Sequence, residues 1–201
     1  MPGGQPIPGE VAVNTIRLLN FDGSDVHDLS SGEMEAHLQI PLLIDMFRNY
    51  VPGFENCYLT SINSCIGVRE SRRIVGEKML DYHDCLKGLK PDDTIALCSY
   101  FLDIHNGAGE DTTGIRIEEP FGIPYLCLVS KDISNLMMAG RDISVDPVTF
   151  GATRIMNVCM AVGQAAGEAA AMAVSEGKLP KEVNVQELRK HLLEQKAILD
   201  V

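Results

Sequence analysis

Apolar positions are spaced in two ways along this chain, and the change comes near residue 132. Before it, short apolar runs of strand length alternate with Gly, Pro and Asp. In Val11–Leu18 the alternation puts Val11, Val13, Thr15 and Arg17 on one face and predicts a strand. Asp22-Gly23 is a turn signal, and Ser30-Ser31 followed by Glu33 reads as a helix N-cap with an acidic first turn. That helix is expected to reach about Tyr50 on a stripe of Leu38, Leu42, Ile44, Met46 and Phe47. Pro41 predicts a kink or break inside it, and Pro52-Gly53 an end. Cys57–Ile66 reads as a strand. The charged segment Arg69–Leu80 leads into a second strand, Asp81–Gly88 makes a short turn or helix, and Thr94–Ile104 a third strand. Asn106–Gly114 is expected to be an exposed loop, and Pro120–Ser130 an apolar strand region punctuated by Pro124.

Beyond residue 132 the helical period takes over. Asn135–Ala139 is a short apolar run, expected as a buried strand, that ends in Gly140-Arg141-Asp142. Asp146-Pro147 is a helix start, and an Ala/Gly-rich helix follows over about Arg154 to Ser175, closed by Gly177. A last amphipathic helix begins near Asn184 and carries Val185, Leu188, Leu192, Leu193 and Ile198. The chain then divides into a mixed α and β domain over 1–132, a strand–helix segment over 133–178 and a helical tail over 179–201.

Composition is that of a globular protein, with 45% hydrophobic and 22% charged residues. A formal charge of −11 argues against a nucleic-acid surface, which needs clustered Lys and Arg. The six cysteines form no CxxC pair, most of them read as buried thiols, and no metal-ligand spacing occurs. The opening MPGGQPIPGE has no charged or apolar leader pattern, so a reducing, cytoplasmic setting is expected. Ile155–Val174 is twenty mostly apolar residues, but Asn157, Gln164 and Glu168 interrupt it, which favours a buried helix over a membrane span.

The stretch 135–174 carries the chemistry. An apolar strand, a Gly-polar-Asp turn and a small-residue helix together suit a helix N-terminus that faces negative charge. Gly163, Ala166, Gly167 and Ala170 would let that helix approach a neighbour closely, whether a cofactor or simply another packed element. The run AGRDIS followed by RIMNVCMAVGQAAGEAAAMAV resembles the C-terminal FAD-binding motif of a bacterial FAD-dependent oxidoreductase family, distantly related to the succinate dehydrogenase and fumarate reductase flavoproteins. GVRESRRIVGE at Gly67–Glu77 and FLDIH at Phe101–His105 are similar to further family motifs, and EVAVNTIRLLNFDGSD and PYLCLVS fall in the expected order.

The resemblance implies a mixed α/β fold. A β-rich, substrate-type domain with one long helix would be followed by the C-terminal strand–helix piece of a Rossmann-like FAD-binding domain. It implies FAD as cofactor, with Gly140, Arg141 and Asp142 reaching its ribityl and pyrophosphate region. Arg154, Ile155, Met156 and Asn157 would begin the helix that abuts the isoalloxazine ring. The family more often has a non-acidic residue where Asp142 stands, so Asp142 is better suited to ribityl hydroxyls than to a phosphate. His105, Arg69, Arg73 and Arg154 are the candidate catalytic residues. The arginines around Glu70 suit bidentate binding of a carboxylate or phosphate, or equally an internal salt-bridge cluster with Glu70 and Glu77. His105 shares a strand face with Asp103 and would be a proton donor or a structural hydrogen-bonder; His27, His37, His83 and His191 read as surface residues.

A flavin fold of this kind opens with a strand, a G-x-G-x-x-G turn and a helix. These 201 residues hold no such run; Gly107-Ala108-Gly109 lies in an acidic stretch without the third glycine. The expectation is therefore a C-terminal portion or subunit that passes a hydride between FAD and a small organic substrate, for which the arginines suit an anion, once a polypeptide carrying the missing half completes it. The alternative is a truncated relic or interaction domain without flavin, prone to self-association.

Overall fold

The computed structural model describes residues 3–4, 7–104 and 113–200. The chain falls into two compact units, Met1–Ser71 and Arg72–Val201. Residues 72–132 thus share a unit with the C-terminal helices.

In the first unit, β1 (Gly3–Gly4) pairs antiparallel with β2 (Val11–Ala12). The strand expected over Val11–Leu18 goes no further than Ala12. Asp25 opens α1 (Val26–Tyr50) by accepting from the amides of His27 and Asp28, at 2.8 and 3.1 Å. These are donors that a first turn leaves unpaired. The cap expected at Ser30-Ser31 lies a turn too late, and Ser30 is interior, its hydroxyl donating to Val26 O. α1 runs unbroken through Pro41 and ends at Val51, with Gly53 at φ 89 just beyond.

The strand expected over Cys57–Ile66 does not form. Side chains of α1 take up its backbone instead. Arg48 donates from Nε and Nη2 to Cys57 O at 2.9 and 2.7 Å, and Glu33 Oε2 accepts from Ile66 N at 2.7 Å. The helix anchors are 48 − 33 = 15 residues apart, about 22 Å at the helical rise. The segment anchors are 66 − 57 = 9 residues apart, at most about 30 Å when extended. The segment therefore runs antiparallel along α1 as a strap. Gly32, the one buried residue of α1, lets it come close, since a Cβ there would sit 3.2 Å from Ile66 and 3.4 Å from Leu18.

The second unit holds α2 (Tyr82–Leu86), β3 (Thr94–Cys98), β4 (Leu102–Ile104), β5 (Thr113–Ile115), β6 (Phe121–Pro124), α3 (Pro147–Thr153), α4 (Met156–Glu176) and α5 (Val185–Glu194). β3 pairs antiparallel with β6, and β4 with β5. No larger sheet forms among the described residues, so the architecture is mixed α and β with small two-stranded sheets. The single strand expected over Thr94–Ile104 is thus two strands in different sheets. The run Asn135–Ala139 is not a strand either; Met137 makes one bridge to Val129. Gly76 and Leu80 likewise make isolated bridges, to Ser130 and Val145, where a second strand was expected.

Helix boundaries follow the sequence closely here. Asp146 caps α3, accepting from Val148 and Thr149 amides, and Pro147 stands at its first turn. Gly177, at φ 65, ends α4, and Asn184 caps α5. α4 buries Val158, Val162, Ala165, Ala169 and Met172, a 4-3-4-3 spacing that forms one inner face packed on β3 and α5. Its other face carries Met156, Met160 and Val174, exposed by 83%, 75% and 83%. By length and composition alone α4 could cross a membrane; as folded, a third of that stretch (33%) is buried. Phe121, Ile123, Tyr125, Phe150, Leu188, Leu192 and Leu199 complete the core.

Candidate functional site

The joint between α3 and α4 collects most of the expected site residues. Arg154 closes α3, its amide bonded to Phe150 O, and Ile155 begins α4 in an extended conformation with no side-chain cap. Met156 and Asn157 form the exposed start of α4, where amides lack intrahelical partners and the helix dipole is positive. The Arg154 guanidinium lies 5.7 Å from the centroid of the buried Phe150 ring, and that of Arg73 lies 5.2 Å from the same ring. Two cations thus share one aromatic platform. Arg154 Nη2 donates to Asp103 Oδ2 at 2.9 Å and to Asp103 O at 3.2 Å.

Gly151 makes this joint possible. A Cβ there would stand 2.6 Å from Asp103 O and 2.9 Å from its C and N atoms, so only glycine lets α3 press on β4.

The turn Gly140-Arg141-Asp142 reaches the same end of α4. Ile74, next to Arg73, donates its amide to Asp142 O at 2.8 Å. Cys159, in the opening turn of α4, has its thiol pushed up by burial, lowered by the charge of Arg141 and raised again by Asp142. Gly140 sits at φ 106 with open space where a side chain would be. Asp142 Oδ1 is buried and accepts no hydrogen bond among the described residues. A buried acceptor without a donor is costly, and such an atom marks a place where a donor belongs.

Of the expected residues, then, Arg73, Gly140, Arg141, Asp142, Arg154, Ile155, Met156 and Asn157 are gathered around one helix end and its joint. Arg69 falls in the first unit. His105 lies outside the described residues. Asp103, Phe150 and Gly151 were not expected in these roles; Asp103 stood out only through the FLDIH motif, and a lone glycine after Phe150, inside a helix opened by Asp146-Pro147, was the signal for the other two. The glycines expected to permit close helix approach, Gly163 and Gly167, face open space on the outer side of α4. His191 is no simple surface residue. Its Nδ1 pairs with Glu168 Oε1 at 2.9 Å, and Gln195 Nε2 donates to Glu168 Oε2 at 2.8 Å, tying α5 to α4. These bonds hold the Glu168 carboxyl below its ordinary pKa, Gln195 contributing most. No cluster of three or more metal-ligating side chains occurs among the described residues.

A family model described as FAD dependent oxidoreductase matches residues 4–192. The chain belongs to that family. No curated protein and no solved structure matches it. The local chemistry fits the cofactor that the family name implies. An orphaned carboxylate oxygen suits a hydroxyl donor, a positive-φ glycine leaves room beside it, and an uncapped helix start suits negative charge.

Proposed function

We propose that this chain forms the α4 side of a flavin site and takes part in hydride transfer between a small organic substrate and FAD. The observation that carries the proposal is the buried, partnerless Asp142 Oδ1, in a turn whose backbone is bonded to Ile74 beside Arg73. FAD, when bound, supplies the two-electron chemistry. Asp142 would accept from a ribityl hydroxyl, and Gly140 would let the backbone approach. Met156 and Asn157 would lie against the ring system and keep water from it. Arg73 and Arg154, stacked on Phe150, would hold an anionic substrate group. The site is completed by a segment with a strand, a G-x-G-x-x-G turn and a helix, which these 201 residues do not contain. Six free thiols, three of them buried, support a reducing cytoplasmic setting.

The test is co-expression of the full chain with a polypeptide carrying that segment, followed by size-exclusion chromatography with an absorbance scan across the flavin band. Flavin is expected to coelute with the complex and to be lost on Met156→Lys or Asn157→Asp. A complex that forms and carries no flavin would sink the proposal. A second reading, an interaction domain without flavin, draws on the exposed Met156, Met160 and Val174 face of α4. It expects self-association and no flavin band at any partner ratio.

A further inference from the structure

We propose that Asp103 is a positioning residue that acts through Arg154. One nitrogen of Arg154, Nη2, donates to two oxygens of the same residue, the Asp103 carboxylate and the Asp103 carbonyl. That pairing holds Nη2 against two oxygens of one residue. The pair is largely withdrawn from water, with side chains 12% and 19% exposed, so it is screened less than an ion pair at the surface.

Both ends of the pair are anchored through backbone. On one side, Arg154 is fixed by its place between two helices, its amide closing α3 and its neighbour Ile155 opening α4. On the other, Asp103 is paired opposite Gly114 in the β4–β5 ladder, and its peptide is pressed against Gly151. The guanidinium spans these two anchors and lies over Phe150. Asp103 therefore determines where the cation at the start of α4 stands and how much of its charge an approaching anionic group meets. The functional part of this role rests on the flavin reading above, in which Arg154 is a cation beside Ile155, Met156 and Asn157. The positional part does not.

The experiment uses the full chain without cofactor. Phenylglyoxal, which modifies accessible guanidinium groups, is followed arginine by arginine by mass spectrometry. In the native sequence Arg154 is expected to react slowly. Asp103→Ala and the volume-conserving Asp103→Asn are expected to speed Arg154 alone, about tenfold for loss of a charge-assisted hydrogen bond. Asp103→Glu is expected to restore slow reaction, and the exposed Arg116 should keep its native rate throughout. An unchanged Arg154 rate in both variants overturns the proposal, as does failure of Asp103→Glu to restore it. Acceleration of every arginine together in both variants also overturns it, because Asp103 would then serve the fold at large. No flavin enters this measurement, so it stands or falls apart from the coelution test.

Discussion

The 25 residues of α1 in the first unit bury a single residue, Gly32, whereas the 21 residues of α4 in the second bury six. The first unit is closed by polar bonds from α1 side chains to the strap at Cys57 and Ile66. The second is closed by an apolar core that draws on β3, β6, α3, α4 and α5. Apolar burial dominates folding free energy, while a hydrogen bond that replaces one to water contributes only a modest net amount. The second unit should therefore be the last to open, and the first should exchange its amides through local fluctuations. Most candidate site residues also lie in the second unit, where an apolar core can hold geometry.

Alkali offers the sharpest break in this comparison. Burial pushes the thiols of Cys85 and Cys127 up to about 12, and that of Cys98 up to about 11, from an ordinary 9.0. Burial also pushes the Tyr125 hydroxyl up to about 12 from 10.0. For an acid whose folded pKa is raised, the unfolded state loses its proton first, so stability is complete below the unfolded value and falls above it. The second unit should thus lose stability from about pH 9 towards pH 12, and the thermal midpoint of its near-ultraviolet signal should drop steeply across that window. A midpoint that stays flat to pH 11 would contradict the burial of these groups.

Gly151→Ala comes next. Its Cβ would meet the Asp103 backbone, which cannot swing aside as a side chain can, and a loss of about 3 kcal/mol is expected in denaturant unfolding of the second unit. Arg48→Ala should cost about 1 kcal/mol, since the bonds it removes are exposed. Its effect should appear as faster hydrogen exchange along the strap and leave α4 untouched. The smallest change is expected from Met160→Ala, within about 0.5 kcal/mol for a residue three-quarters exposed. A loss several times larger would show that the outer face of α4 is covered within the chain itself.

Helix ends were the most legible part of the sequence, because their signals are local. Asp146-Pro147, Asn184 and Gly177 satisfy or end helical backbone through their own side chain or torsion angles, whatever packs nearby. The cap of α1 was misplaced because Asp25, Ser30 and Ser31 are all good capping types, and only the folded chain shows which one is extended. Strands were the least legible. Tyr, Thr and Ile between Cys57 and Ile66 favour strand pairing, but this segment's anchors are a helix's side chains rather than another strand. Arg73, the 140–142 turn and Arg154–Asn157 entered the candidate site through motif resemblance. Asp103 and Phe150 did not, since their roles depend on β4 meeting α3 across some fifty residues of chain.

Leu199 is 1% exposed and belongs to the same core as Ile95, Phe121 and Val162. Synthesis delivers residues in order, and a domain can settle only when all the parts of its core have left the ribosome. The strap that closes the first unit is complete by Ile66, so that unit can form early. The second must wait for residue 199, with β3 and α4 already made and their apolar faces still open. During that interval the nascent chain would display the Val158–Met172 face to any chaperone that binds apolar helices, making α5 and Leu199 the timer for its release.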